Sequence, residues 1–495
     1  MLKTYYIKTF GCQMNYADSE KIDMILRSAG LRKVLDPVQS DIVISNTCSV
    51  RQKGEDRVFW FIHETLRYHK TNATGKKPLF GITGCMVRKS WLAKRYLRDE
   101  EGNMSDEYKR KNAEKIALLD SSDALANYDD ELFLRSQSID FVFRIEEVSF
   151  LTKILSLITT EDIGNDAKFN EYLAVRQLQE NPASANVIIQ TGCDNYCSFC
   201  IVPYTRGREI SRDPDEIVAE IREVVKNWTR EVTLLGQNVN SYGKETKKKL
   251  WNAEELTWTD KNIQTPFRDL LDKISQIDGL DRIRFTSSNP HDMTLDILSA
   301  HFDLPHMTPH LHFALQSGSD TMLARMNRKH TYADFKSQVD YLRSRDPLFS
   351  ISTDIIVGFP GETEEEFQAT ATAMRECQFD VAFIARYSAR TGTTATNRFE
   401  DDISPSEKAR RWTILNDILR ETAQSRNLLM VGREEEILIS WEWKDETWVG
   451  RTRNWKEVFI PKSDNIKIWD IVKVRITEWD KWVLKGEKVT SLKSS

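Results

Sequence analysis

A long apolar run is missing from this chain. No stretch approaches the ~18 apolar residues that a membrane-spanning helix needs, so no membrane partner is expected. The first residues, MLKTYYIKTF, also lack the apolar core and small-residue cleavage site of a signal peptide, and a cytoplasmic protein is expected. An excess of positive charge is missing too. The formal net charge is -5, so any nucleic-acid contact must come from local patches. Cysteine is sparse. The seven present are an odd number in a long chain, which suits free thiols or metal better than a disulfide framework. Glycine is scarce as well, at 20 residues against 13 tryptophans.

What is present divides into three segments, as the soft prior of ~150 residues per domain suggests. In residues 1–155, TYYIKTF (4–10), DIVISN (41–46) and PLFGITG (78–84) are short β-type runs, and a helix-like stretch follows the first. This alternation predicts a doubly wound parallel sheet. Residues 98–138 are polar and charged and are expected to form a helical or loose insertion, and 156–185 a linker. In 186–425 six candidate strands alternate with helical stretches: NVIIQ, EVTLLGQ, RIRFTS, HLHFALQ, STDIIVG and VAFIARYS. Six such units predict a (β/α)6 partial TIM barrel, with chemistry at the C-terminal ends of its strands. In 428–495 short strands follow one another without helices, which predicts a small antiparallel β-barrel. The fold class is therefore α/β with a terminal all-β module.

The stretch CDNYCSFC places Cys193, Cys197 and Cys200 just after the first barrel strand. A structural zinc site wants four ligands, and no fourth cysteine follows nearby. Three thiolates on one tight loop can instead hold three irons of a [4Fe–4S] cube and leave the fourth iron open. A second set, Cys12, Cys48 and Cys85, follows the three candidate strands of the first segment: KTFGC, ISNTC and GITGC. Strand ends of one parallel sheet lie on one edge, so these distant residues can converge there. The alternative is three buried, inert thiols. Cys377 lies in a helical stretch without a partner and is expected to be structural.

Several stretches together carry a resemblance: TFGCQMNYADSE, NTCSVRQKGEDRV, TGCMVRK, GCDNYCSFCIVPYTRGRE, LLGQNVNSYG, FTSSNPHDM, LQSGSD and DIIVGFPGET. With them, the chain resembles the MiaB-type tRNA methylthiotransferases of the radical S-adenosylmethionine superfamily, and its last segment a TRAM domain. The resemblance implies two [4Fe–4S] clusters, a radical one on Cys193, Cys197 and Cys200 and an auxiliary one on Cys12, Cys48 and Cys85. It also implies two S-adenosylmethionines per turnover and a methylthio group placed on C2 of N6-isopentenyladenosine next to the anticodon of tRNA. Two alternatives stand beside it. One is the same chemistry on threonylcarbamoyl-adenosine tRNA or a ribosomal protein. The other is a zinc-stabilised, non-catalytic RNA-binding protein. An electron donor such as a flavodoxin and a monomeric state are expected; no catalytic side chain beyond the cysteines is singled out.

Polar groups at strand ends are candidates for S-adenosylmethionine: Gln237, Asn238, Gln316 and Ser317, with Gly358 and Gly361 letting backbone approach the adenosyl moiety. Arg206, Arg208 and Arg212 form a basic patch beside a tyrosine, and Arg451, Arg453 and Lys456 lie on an expected hairpin of the terminal barrel. Arginine pairs with phosphate and aromatics stack on unpaired bases, so both groups are RNA-binding candidates.

Seven tryptophans fall between 441 and 482, and several stand where a turn calls for glycine. RNWKEVF should turn between two strands, yet the favoured Asn-Gly pair is here Asn454-Trp455. Trp469 and Trp479 are also in turn-like stretches, and Trp228 and Trp91 invite the same question. Members of the resembling family typically carry glycine at positions like Trp455 and Trp469. One reading is that some of these codons are UGA decoded as glycine; the other is a tryptophan-rich face that stacks on RNA.

Overall fold

The computed structural model describes residues 2–48, 52–72, 77–88, 132, 135–136, 138–159, 163, 172–178, 183–244, 258–260, 263–444, 446–463, 465–480 and 482–489. Most of the expected insertion at 98–138, and Trp91, lie outside the described residues. Two compact units result. One comprises residues 1–178 with 201–208; the other comprises 179–200 with 209–495.

The first unit is built on a five-stranded sheet of order β2-β1-β3-β4-β5, with every neighbouring pair parallel. Its strands are β1 (Thr4–Thr9), β2 (Arg32–Lys33), β3 (Ile42–Thr47), β4 (Leu79–Gly84) and β5 (Phe141–Val142). The helices Gln13–Ser28 and Gln52–Asn72 follow β1 and β3. β3 is buried along its whole length, as a central strand covered on both faces must be. Residues 172–178, expected within a linker, instead pack in this unit: Lys21 is buried and donates to the carbonyls of Tyr172 (3.1 Å) and Val175 (2.6 Å). A buried ammonium needs such acceptors, and they tie the segment down.

The second unit holds the six expected strands in sequence order. They are β6 (Ser184–Ile188), β9 (Glu231–Leu235), β10 (Arg282–Phe285), β11 (His310–His312), β12 (Ser350–Val357) and β13 (Val381–Arg386). They pair in parallel as two three-stranded sheets, β10-β9-β6 and β11-β12-β13. Single parallel bridges, Ile283 to Met307 and Ser288 to Phe313, carry the curvature from one sheet to the next. The core lies between strands and surrounding helices, with Val187, Leu234, Phe285, Leu311 and Ile355 fully or almost fully buried. A short antiparallel pair, β7 (Gln190–Thr191) and β8 (Ile210–Ser211), stands at the exit of β6.

The last segment closes into a five-stranded barrel of order β14-β15-β16-β18-β17. Its strands are β14 (Glu434–Trp443), β15 (Thr447–Thr452), β16 (Glu457–Pro461), β17 (Ile471–Asp480) and β18 (Val483–Lys488). All pairs but β16–β18 are antiparallel. Trp479 lies within β17, not in a turn. The barrel is joined to the rest of its unit by buried charge. Arg282 donates to the carbonyls of Arg451 (2.7 Å) and Glu436 (2.9 Å), and Arg284 to that of Thr452 (3.0 Å) and to Glu231 (2.9 Å). Among the described residues, no helix is long and apolar enough to cross a membrane.

Candidate metal centres

In the first unit the sheet register does what the sequence spacing could not. Thr9 pairs with Asn46, and Thr47 with Gly84. Cys48 and Cys85 therefore leave adjacent strands at the same level, and the Cys85 N–H donates to the Thr47 carbonyl (2.8 Å). Cys12, three residues beyond β1, begins the helix Gln13–Ser28, where the positive end of the helix dipole favours negative charge. Close approach needs small residues: a Cβ on Gly11 would come within 2.9 Å of the Cys48 Cβ, and one on Gly84 within 2.3 Å of the Thr47 carbonyl oxygen. The three sequence-predicted cysteines thus meet at one sheet edge.

Asn15, which sequence reasoning missed, organises this edge. It is fully buried. Its Oδ1 accepts from the Cys12 N–H (3.2 Å) and lies 3.4 Å from the Cys12 Sγ, and its Nδ2 donates to Asn46 Oδ1 and the Thr47 carbonyl, both at 3.1 Å. Asn46 returns a bond to the Asn15 carbonyl (2.7 Å). Surrounding protein atoms, and then the neighbouring Cys85, push the Cys12 thiol up. Cys12 is open to solvent, so the crowding counts for less than it would in a core.

In the second unit, Cys193, Cys197 and Cys200 lie on the loop between the β7 exit and residue 200. Four anchors hold it. The Gly192 N–H donates to Gln237 Oε1 (2.6 Å). Asn327 Nδ2 donates to the carbonyls of Asn195 (3.2 Å) and Tyr196 (2.9 Å). Ser198 bonds Met326, Arg325 and Ala395. Arg328 Nη1 reaches the Cys197 Sγ at 3.4 Å. Arg328 is the second residue missed from sequence, where nothing local connects it to a cysteine 131 positions earlier. Burial pushes the Cys193 thiol up to about 12. Loading either trio with metal must therefore release protons. Among the described residues no three His, Cys, Asp or Glu side chains converge on a single ion; a [4Fe–4S] cube asks instead that each thiolate hold its own iron. Cys377 is buried in the barrel's core.

Most of the other expected site residues are engaged within the protein. Gln237 holds the cysteine loop, and Asn238 donates to the buried Asp292 (2.7 Å). Ser317 Oγ is 3.0 Å from Thr370 Oγ1. The Gly358 N–H donates to Glu362 Oε2 (2.6 Å) and that of Gly361 to Asp402 Oδ1 (2.7 Å). Gln316 sits at the end of β11's extension with φ +72°, bridged to Ile355.

The basic patches are corrected more sharply. Arg206 is buried in the first unit, ion-paired with Asp18, which also accepts from Tyr172 Oη (2.5 Å). Arg212 pairs with Glu220 (2.7 Å). Arg451 pairs with Glu457 (3.5 Å), Arg453 donates to the Met307 carbonyl (2.9 Å), and Lys456 is buried on Asp380 (2.7 Å). Only Arg208 of the six is exposed. Buried arginine and lysine need carboxylates, and for Arg206 and Lys456 those carboxylates, Asp18 and Asp380, are far away in sequence.

Known proteins match this chain along its length. Residues 4–101 match the uncharacterized protein family UPF0004, 187–374 the radical SAM superfamily and 428–489 the TRAM domain. The chain is 36% identical over 496 residues to the tRNA-2-methylthio-N(6)-dimethylallyladenosine synthase of Dictyoglomus thermophilum, covering 98% of each. It is 36% identical over 492 residues to the protein of that name from Carboxydothermus hydrogenoformans, covering 98% of this chain and 99% of the other. Among solved structures, the radical S-adenosylmethionine methyltransferase TsrM from Kitasatospora setae aligns over 80% of this chain and 77% of its own, at 13% identity and a TM-score of 0.46.

Proposed function

The chain belongs to the tRNA-2-methylthio-N(6)-dimethylallyladenosine synthase family, and from that premise we infer that it inserts a methylthio group at C2 of N6-isopentenyladenosine beside the tRNA anticodon. Membership in the radical SAM superfamily brings a [4Fe–4S] cluster and S-adenosylmethionine. We assign that cluster to Cys193, Cys197 and Cys200. A second [4Fe–4S] cluster is assigned to Cys12, Cys48 and Cys85, with two S-adenosylmethionines used per turnover. The domain limits proposed are 1–155, 186–425 and 428–495, with residues 172–178 of the intervening 156–185 segment packed on the first domain. The observation that carries the reading is the register of β1, β3 and β4, which supports one trio at one edge.

When bound, the clusters would supply an electron to cleave the sulfonium and an open iron for sulfur. The protein's own residues prepare those sites. Arg328 sets a guanidinium against the Cys197 sulfur, and hydrogen bonds to cluster sulfurs raise a reduction potential. Asn15 fixes Cys12 through its backbone and side chain. Gly11 keeps side-chain bulk away from Cys48, and Gly84 lets the backbone pass close to Thr47. The chemistry then requires C2 of the base to come within ~3–3.5 Å of each reacting atom. The RNA-binding role proposed for the basic residues is kept for the exposed Arg208 and the half-exposed Arg451 and Arg453, while Arg206, Arg212 and Lys456 serve the fold.

Anaerobic reconstitution tests the reading. About eight irons per chain, with broad charge-transfer absorbance, are expected for two cubes. A colourless protein holding only zinc overturns it. Nucleoside analysis of tRNA from a deletion strain carrying this chain should then show the 2-methylthio form of N6-isopentenyladenosine. Restoration of a methylthio-threonylcarbamoyl nucleoside alone would move the substrate.

A further inference from the structure

Nine non-glycine residues among those described have positive φ, and three are tryptophan: Trp228 (+75°), Trp455 (+69°) and Trp469 (+77°). A bulky residue in this region is a genuine outlier. The glycines with positive φ span +67° to +89°, and all three tryptophans lie in that range.

Each tryptophan occupies a different glycine-defined position. Trp228 follows the helix Pro214–Lys226 and its cap Asn227. Its N–H donates to the Val225 carbonyl (3.1 Å), and that of Thr229 to Val224 (3.2 Å). This pair of bonds is the Schellman closure, whose left-handed residue is usually glycine. The same molecule uses Gly30 (φ +79°) in the same place after the helix Gln13–Ser28, with bonds from Gly30 to Arg27 and from Leu31 to Leu26. Trp455 is the third of the four residues, 453–456, between β15 and β16. Its N–H donates to Thr452 (3.1 Å), and Thr452 pairs back with Lys456 (2.9 Å). That is the left-handed position of a turn followed by a bulge, again a glycine position. Trp469 is the third residue of the turn Lys467–Asp470, closed by the Asp470 N–H on the Lys467 carbonyl (3.2 Å). Positive φ at that residue alone defines a type II turn, which requires glycine there.

The side chains do not account for the placement. Trp228 is 73% exposed and Trp469 38%. Trp455 does have company: its ring stacks on His310 at 5.4 Å, with Arg451 4.3 Å and Arg284 4.6 Å from its centre. Those contacts belong to the indole, whereas the demand for positive φ comes from the hairpin backbone. Composition points the same way. Average glycine usage of ~7% would give roughly 35 in a chain of this length, and 20 are present.

We infer that positions 228, 455 and 469 are glycine in the protein as its own cells make it, their codon being UGA decoded as glycine. Trp479 sits within a strand and is not included. The exposed indoles at 228 and 469 then form no RNA-stacking surface, and the hairpin tip beside Arg284 and His310 is bare backbone.

Peptide mapping by mass spectrometry, on protein purified from the cells that encode it, decides the matter. Glycine at all three positions is expected, and tryptophan at any of them overturns the inference. A second test uses the chain with tryptophan in place. Trp228→Gly and Trp469→Gly should each raise Tm by roughly 2 °C, whereas Trp228→Ala and Trp469→Ala should not, because alanine gains nothing at positive φ. Equal Tm for the glycine and alanine variants would show that the backbone does not ask for glycine, and would overturn it.

Discussion

The two cysteine trios solve one problem in opposite ways. Cys193, Cys197 and Cys200 lie within eight residues, and their loop is braced from outside by Gln237, Asn327 and Arg328. Cys12, Cys48 and Cys85 span 74 positions of sequence numbering (from 12 to 85, both ends counted) and are brought together by strand register, with Asn15 fixing Cys12. A local trio is cheap to assemble but needs a scaffold to hold its loop still. A dispersed trio inherits rigidity from the sheet, but it exists only if the sheet is correctly paired.

The largest effect should separate the trios by chemistry. Cys197→Ala should abolish both cleavage of S-adenosylmethionine and methylthio transfer. Cys85→Ala should abolish transfer while 5′-deoxyadenosine is still formed. Product analysis of the two variants checks this, and identical losses would erase the division of labour. Next come the buried ion pairs. Asp18→Ala leaves Arg206 buried without its carboxylate, and Asp380→Ala does the same to Lys456; each should lose ~3–5 kcal/mol of stability. Denaturant melts should show the first weakening the unit of the dispersed trio, with loss of its iron, and the second sparing it.

Smaller losses should come from the bracing residues. Asn15→Ala and Arg328→Ala should each reduce iron retention at their own trio by ~10–100-fold, read by iron release to a chelator. If Asn15→Ala has no effect, the sheet alone holds the dispersed trio. The smallest effect near neutrality concerns pH. Burial lowers His301 from its ordinary value of 6.5 to about 4. The folded state thus disfavours the proton that the unfolded chain accepts. This contribution is complete above pH ~6.5 and is lost as pH falls toward about 4. Hydrogen exchange should therefore show the barrel loosening across that window, and His301→Gln should flatten the dependence.

Much of the fold was legible. The nine β-type runs of the first two segments correspond to β1, β3, β4 and the six barrel strands, because short apolar runs bounded by glycine and polar turns leave few alternatives. The short β2 and β5, two residues each, gave no periodic signal. The cysteines at the strand ends stand out from residue type alone. The site was illegible where the same residue type serves two ends. Arg206 and Arg208 are two positions apart, yet one is buried and the other exposed.

Strand-and-helix order, the places of the cysteines at strand ends and the turns that want glycine follow from short local stretches of the chain, because each depends on neighbouring residues. Which charges are buried is settled by the folded chain. Arg206 meets Asp18 across 188 positions, and a guanidinium leaves water only where folding has already placed a carboxylate to receive it.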